Sequence, residues 1–442
     1  MQRAACWVRE RHCVFLSDDA TPVAGRLSDA KPNAMKHLCL LLLPLLLLGA
    51  CSRDPKECRT KERIYTPYFK SRFEVRAGMH GTSARPIERP GKLYSYGSWL
   101  FLSDQEQGIH IIDNQNPAAP AQRAFLPVPG NVDVAVEGHY LYADSWSDLV
   151  VFDISDMRNV RPVKFIPDVF PQRAYYWNAN GISDSTLVIA GYTVRDTMVA
   201  CAQKVGGGGW GPFLGTLASS GGGTAGSMSR FALTAGRLYT VDGNDLRTYS
   251  ISNPADPQAG GITAINANAE TVFPFGNSLF IGTTTGMHIY DISTPAQPHY
   301  LSRFEHARLC DPVVTDGIHA FVTLRSGGFC GGSQNQLDVL RVTNLLQPTP
   351  VRSYELSNPH GLAREGNLLF VCDGDAGVKV YDCTDPANLQ LLEKVPVSGT
   401  YDVIAQNGTL YLVSANGLYQ YNYGTGTNYR PLQLKSIVPA RP

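Results

Sequence analysis

The sequence predicts an all-β chain folded as a β-propeller of about eight four-stranded blades, or seven if its weakest repeat is discounted. Three observations lead there. Apolar stretches are short and bounded by Gly, Pro, Asn and Asp, as strands separated by tight turns are. The same succession of strands and turns recurs along most of the chain. Its period is mostly 40–49 residues, the length of a propeller blade.

The repeat opens on a glycine, runs through an apolar strand, a turn and a second apolar strand ending near Asp, and closes on a Pro-bearing loop. Copies open at Gly97, Gly138, Gly236, Gly276, Gly317, Gly366 and Gly408. The first reads Trp99–Leu102, then Gly108–Asp113, then Asn116–Pro120. One gap, of 98 residues, holds two units, and a degenerate copy around Ser185–Ala190 occupies it. Within the second copy, Val132–Val136 alternates as a half-buried inner strand does. Tyr140–Ala143 and Leu149–Ile154 form the next hairpin, and Val163–Ile166 the outer edge. Glycine suits the first turn because it adopts positive φ without steric cost. The Asp-Ile-Ser loops close by side-chain-to-backbone bonds and Pro ends strand pairing. The most visible repeat residues are therefore turn chemistry and not a catalytic set.

The first 90 residues follow other rules. Met35-Lys36-His37 precedes an apolar run, Leu38–Leu48, too short for an ordinary membrane span. Leu48-Gly49-Ala50-Cys51 then resembles the lipobox of bacterial lipoproteins, which implies lipidation of Cys51 and removal of what precedes it. The expected division is an upstream extension (1–34), a signal peptide (35–50), a tether (51–90) and the propeller (91–440). By resemblance to enterobacterial sorting rules, Ser52 after the lipidated Cys implies the outer membrane of the cell envelope. The tether carries ten Lys and Arg against five acids, without sustained periodicity.

Gly108–Asp113 and Leu149–Asp153 resemble the LVIVD repeat, and Pro129–Val136 and Val371–Gly377 are also similar to that group. The body as a whole resembles LVIVD-repeat lipoproteins of the Bacteroidetes type. The resemblance implies a propeller and an envelope setting, and implies no known reaction. Residues 195–228 depart from it as a Gly-rich insertion. Gly206, Gly208 and Gly211 formally match a dinucleotide fingerprint but lack its flanking strand and helix. The insertion is expected as a long loop over one face or a flap near a binding site.

The formal net charge is zero, so no global field calls for nucleic acid. Of ten Cys, Cys310 and Cys330 share one blade and are a candidate disulfide, with free thiols as the alternative. Cys372 and Cys383 fall too far apart along their hairpin, where Cys372 is expected opposite Lys379, and are expected free and buried. Counting back from the repeat glycines gives Asp133, Arg230, Glu270, Asp311, His360 and Asp402 at the starts of inner strands. In a propeller these surround one mouth of the channel. They form a candidate site for a polar ligand or a divalent cation, or else each bonds the backbone at its own strand start. No elbow, zinc or phosphate-loop motif marks an enzyme. The favoured reading is a lipid-anchored, non-catalytic binding or scaffold module for a protein or glycan partner, with Trp146, Tyr175, Tyr176 and Trp177 as candidate anchors or, for each, core packing as the alternative. The alternative is a propeller with a ligand, cation or catalytic site at the channel mouth.

Overall fold

A computed structural model describes residues 59–173, 187–200, 218–221, 223–305, 312–326, 334–424 and 429–441. Two compact units divide the chain. The first takes residues 1–60 and 198–205, nearly all outside the described residues, and the second takes 61–197 and 206–442. The second is a β-propeller.

Six sheets form its blades. Sheet I has its core in Pro90–Tyr96, Trp99–Asp104, Gly108–Asp113 and Ala121–Pro127. Sheet II comprises Val134–Glu137, Tyr140–Ser145, Asp148–Asp153 and Arg161–Ile166. Sheet III has six strands from Phe231 to Glu305. Sheets IV, V and VI have four strands each, beginning at Val313, Leu362 and Thr400.

The count of about eight blades, or seven, is corrected to six, for two reasons. The repeats opened by Gly236 and Gly276 share sheet III, because Gln258–Phe275 runs unbroken as the outer strand of one and the inner strand of the next. The degenerate copy near Leu187 is no blade. Its described part, from Leu187, lies in Leu187–Ala200, which among the described residues pairs only with Arg59–Ser71 in a two-stranded ribbon.

Each repeat glycine sits at positive φ, between 56° and 84°. The Asp loops close as expected: Asp113, Asp153, Asp291 and Asp382 each accept from the backbone N–H two residues on, at 2.8–3.0 Å. Inner and middle strands read as buried runs and outer strands are mixed, as stacked sheets require.

The inner strands succeed one another around the centre and the ring closes between sheets VI and I. There, Leu93, Leu100, Leu102 and Ile112 of sheet I pack with Ile404, Val413 and Leu418 of sheet VI, all at most 1% exposed. Ile87 bridges Ala440, and the Arg441 N–H donates to the Ile87 carbonyl at 2.7 Å.

Two stretches differ from expectation. From Arg59 the segment expected as a tether carries a strand and the helix Arg72–Ala77. A capping box between Ser71 and Glu74 starts that helix. Val75, Met79 and Ile87 are buried, so this part belongs to the body. Within the insertion, Ala218–Gly221 and Gly223–Ser227 form a hairpin that adds to the inner edge of sheet I and lies against inner strands of sheets II, III, V and VI. It occupies the middle of the ring and does not cover a face. Gly206–Gly211 lie outside the described residues.

Candidate functional site

The strand starts named above are held by short inner strands whose direction the ring dictates. Of the six, Asp133, Arg230, Glu270, His360 and Asp402 are described and Asp311 lies outside the described residues, as do Cys51, Cys310, Cys330 and Tyr175–Trp177. The five described residues are brought together by neighbouring inner strands.

Two of them join sheets. Asp133 accepts from its own strand at the Val134 N–H (2.8 Å) and from the next sheet at the Arg230 and Phe231 N–H groups (2.8 and 3.1 Å), with the Ser229 hydroxyl as a further donor. Burial pushes its pKa up, and Lys92 and these donors oppose that shift. Asp402 plays the equivalent part between sheets VI and I, where it meets Lys92 Nζ at 3.3 Å and the Leu93 N–H at 3.3 Å. Asp133 thus bonds the backbone at its own strand start as well as that of the next sheet, whereas Asp402 bonds the backbone of the next sheet.

The others are differently placed. Burial lifts the Glu270 carboxyl to about 6, against the opposing pull of Arg230 and Arg325. Burial drives His360 down to about 3, and Arg325 adds to that. Arg325 itself is lowered by desolvation, while Tyr401 and Glu270 favour its charge. Tyr401 is raised by burial and feels Asp402, Arg325, Asp133 and Arg230, so it lies within electrostatic reach of most of the cluster. The His360 and Tyr401 rings are 5.6 Å apart. Glu270 Oε2, His360 Nδ1, Asp402 Oδ1 and Arg230 Nε are buried without a hydrogen-bond partner among the described residues.

The cluster is therefore mixed in charge, with Lys92, Arg230 and Arg325 beside Asp133, Glu270 and Asp402. Lys92 had a sequence signal, since it stands five residues before Gly97 as Asp133 does before Gly138. Arg325 follows the second strand of sheet IV, His319–Leu324, where no counting rule points. At comparable strand ends Asp104, Asp144 and Asp373 accept from backbone N–H groups of the loop leading into their own sheet. No three His, Cys, Asp or Glu side chains are grouped to hold a metal ion among the described residues.

Residues 130–159 match the family model for the LVIVD repeat. The chain carries an LVIVD repeat on a β-propeller. That match spans the loop and strands that hold Asp133. No curated protein matches the chain. Similar solved structures include PorZ, a surface component of the type-IX secretion system of Porphyromonas gingivalis, at 14% identity, 81% of this chain, 39% of that one and TM-score 0.48. A periplasmic gluconolactonase of Pseudomonas aeruginosa is 11% identical over 80% of this chain and 98% of its own, with TM-score 0.46. BamB from Moraxella catarrhalis is 9% identical over 81% and 97%, with TM-score 0.44. At these identities the likeness is one of architecture.

Two expectations outside the cluster are decided. Trp146 is no exposed anchor: it is 6% exposed and its indole N–H donates to the Ile189 carbonyl at 2.7 Å. Cys372 and Cys383 are free and buried. Their hairpin is one residue out of the expected register, pairing Cys372 with Val378 and Val371 with Lys379.

Proposed function

We propose that this LVIVD-repeat propeller is a non-catalytic binding module, held at the cell envelope by a lipid on Cys51. Its ligand, or a polar group of a protein or glycan partner, is received at the inner-strand cluster around Glu270, Arg325 and His360. One observation carries the reading. Buried polar atoms of four strand-start residues converge without partners among the described residues. Leaving such an atom unpaired costs on the order of 1–3 kcal/mol, which a ligand offering donors and acceptors recovers. Arg325, a partly buried cation beside Glu270, favours a ligand offering acceptor oxygens over a bare divalent cation.

The test is capture from envelope extract on immobilised full-length chain, beside the Glu270→Gln/Arg325→Met double variant. A ligand or partner retained by the wild type and released by the variant is expected. Equal retention on both overturns the site. A stoichiometric divalent ion in the purified protein, lost on Asp311→Ala, replaces the polar ligand with the cation. The anchor is checked by labelled palmitate, incorporated by the wild type and absent from Cys51→Ser; label on both chains rejects it.

A further inference from the structure

A second concavity shares no residue with that cluster. A cavity of about 550 Å³ lies between the N-terminal ribbon and sheet I, inside the range of roughly 300–1,000 Å³ typical of small-molecule sites. Three tyrosines from the ribbon line it: Tyr65 and Tyr68 from Arg59–Ser71, and Tyr192 from Leu187–Ala200. Tyr65 and Tyr192 meet edge to face at 6.3 Å. The Arg89 guanidinium lies 5.2 Å from the Tyr65 ring centre and steadies it. Tyr68 packs over the bare backbone of Gly191, where a Cβ would come within 2.6 Å of the phenol oxygen. The Thr193 hydroxyl donates to the Thr66 carbonyl at 3.3 Å and joins the two strands.

The polar wall is made of planar groups whose charges are already matched. Arg441 pairs with Glu88 at 3.1 Å. Arg85 pairs with Asp104 at 3.2 Å and donates to Gln107 at 2.8 Å. Arg89 donates to the Gln105 carbonyl and lies 3.8 Å from Glu106. An anion gains little from cations held in this way and would have to displace their carboxylates. Adjacent fixed donors and acceptors instead suit a ligand whose neighbouring hydroxyls both give and accept. Tyrosine faces suit the C–H surface of a sugar ring, and their polar tips can bond its edge.

We propose that this cavity binds a neutral saccharide. The site goes beyond the strand-start cluster and is independent of it. The experiment is calorimetric titration of the full chain in mild detergent with cellopentaose, chitopentaose, mannopentaose and maltopentaose, and with pentagalacturonate as the acidic counterpart. At least one neutral pentamer is expected to bind with one-to-one stoichiometry. Tyr68→Ala and Arg441→Ala, both at exposed side chains, are expected to weaken it by about tenfold, a loss of about 1.4 kcal/mol of binding free energy. Tyr68→Phe keeps the ring face and is expected to retain binding, and Glu270→Gln in the other cluster leaves it unchanged. No binding by any neutral pentamer, binding by pentagalacturonate alone, or undiminished binding by Tyr68→Ala overturns the proposal.

Discussion

Glu270 and His360 titrate in opposite senses within one cluster. Glu270 is raised from 4.5 to about 6 by burial. Between those values the folded chain holds a proton that the unfolded chain has lost, so stability falls as pH rises through that window. The difference corresponds to about 2 kcal/mol. Urea unfolding of Glu270→Gln against wild type from pH 4 to pH 8 should therefore show the variant gaining about that much on the wild type, and parallel curves would reject the assignment. His360 is lowered from 6.5 to about 3. There the unfolded chain takes the proton first, so the contribution is lost as pH falls below 6.5, and His360→Gln should flatten that acid limb. Cys372 is wholly buried, and desolvation followed by the Asp402 charge pushes its thiol up. Native protein treated with iodoacetamide should carry no label on the Cys372 and Cys383 peptides, whereas guanidinium-unfolded protein should carry it on both. Labelling of either in the native state would contradict their burial.

At the level of the strand pair, the turn glycines separate backbone from packing. Gly276 sits at φ +56° with nothing within 4 Å of where its Cβ would be. Any loss on substitution therefore comes from the left-handed backbone and not from a clash. Gly276→Ala should cost about 1–2 kcal/mol in thermal or urea unfolding, and Gly276→Asn less, because Asn tolerates that region. Equal losses would point to another cause. The Asp-Ser loops obey the same economy. The Asp291 carboxylate accepts from both the Ser293 hydroxyl and its N–H, which hold its pKa below the usual range. A short polar loop then needs no partner from elsewhere in the fold, so its residues repeat wherever the turn repeats.

Ring closure is a property of the whole molecule. Sheets I and VI are joined across 309 residues of sequence at Leu93 and Asp402 and share one apolar cluster, joined also by Lys92–Asp402 and by Arg441 on Ile87. Such contacts repay their loop entropy only when the ring is complete. Leu93→Ala and Leu418→Ala remove fully buried side chains from either side of the seam. Each should cost about 2–5 kcal/mol in chemical unfolding. The double variant should lose less than the sum, because both sites open the same cavity. Strict additivity would show that the two sheets do not act as one core.

What is local or periodic in this fold is written in the order of its residues. Alternating and continuous apolar runs marked the strands, glycines at positive φ marked their turns, and Asp-Ser-Pro loops marked their ends. Counting back from those glycines reached the residues that converge at the inner strands, because a strand of fixed length places its start at a fixed distance from its turn. The same count from Gly97 leads to Lys92. Tertiary structure decided the rest. Whether two repeats share a sheet depends on Gln258–Phe275 running on without a break, and the repeat pattern reads the same either way. Whether a Gly-rich stretch forms a loop or a hairpin inside the ring depends on unpaired strand edges supplied by distant residues. Arg325 and Tyr401 enter the cluster, and Tyr65, Tyr68 and Tyr192 line a cavity, only because strands remote in sequence come to lie side by side. Spacing along a chain can specify a turn, but the chemistry of a site depends on which strands the closed ring sets beside one another.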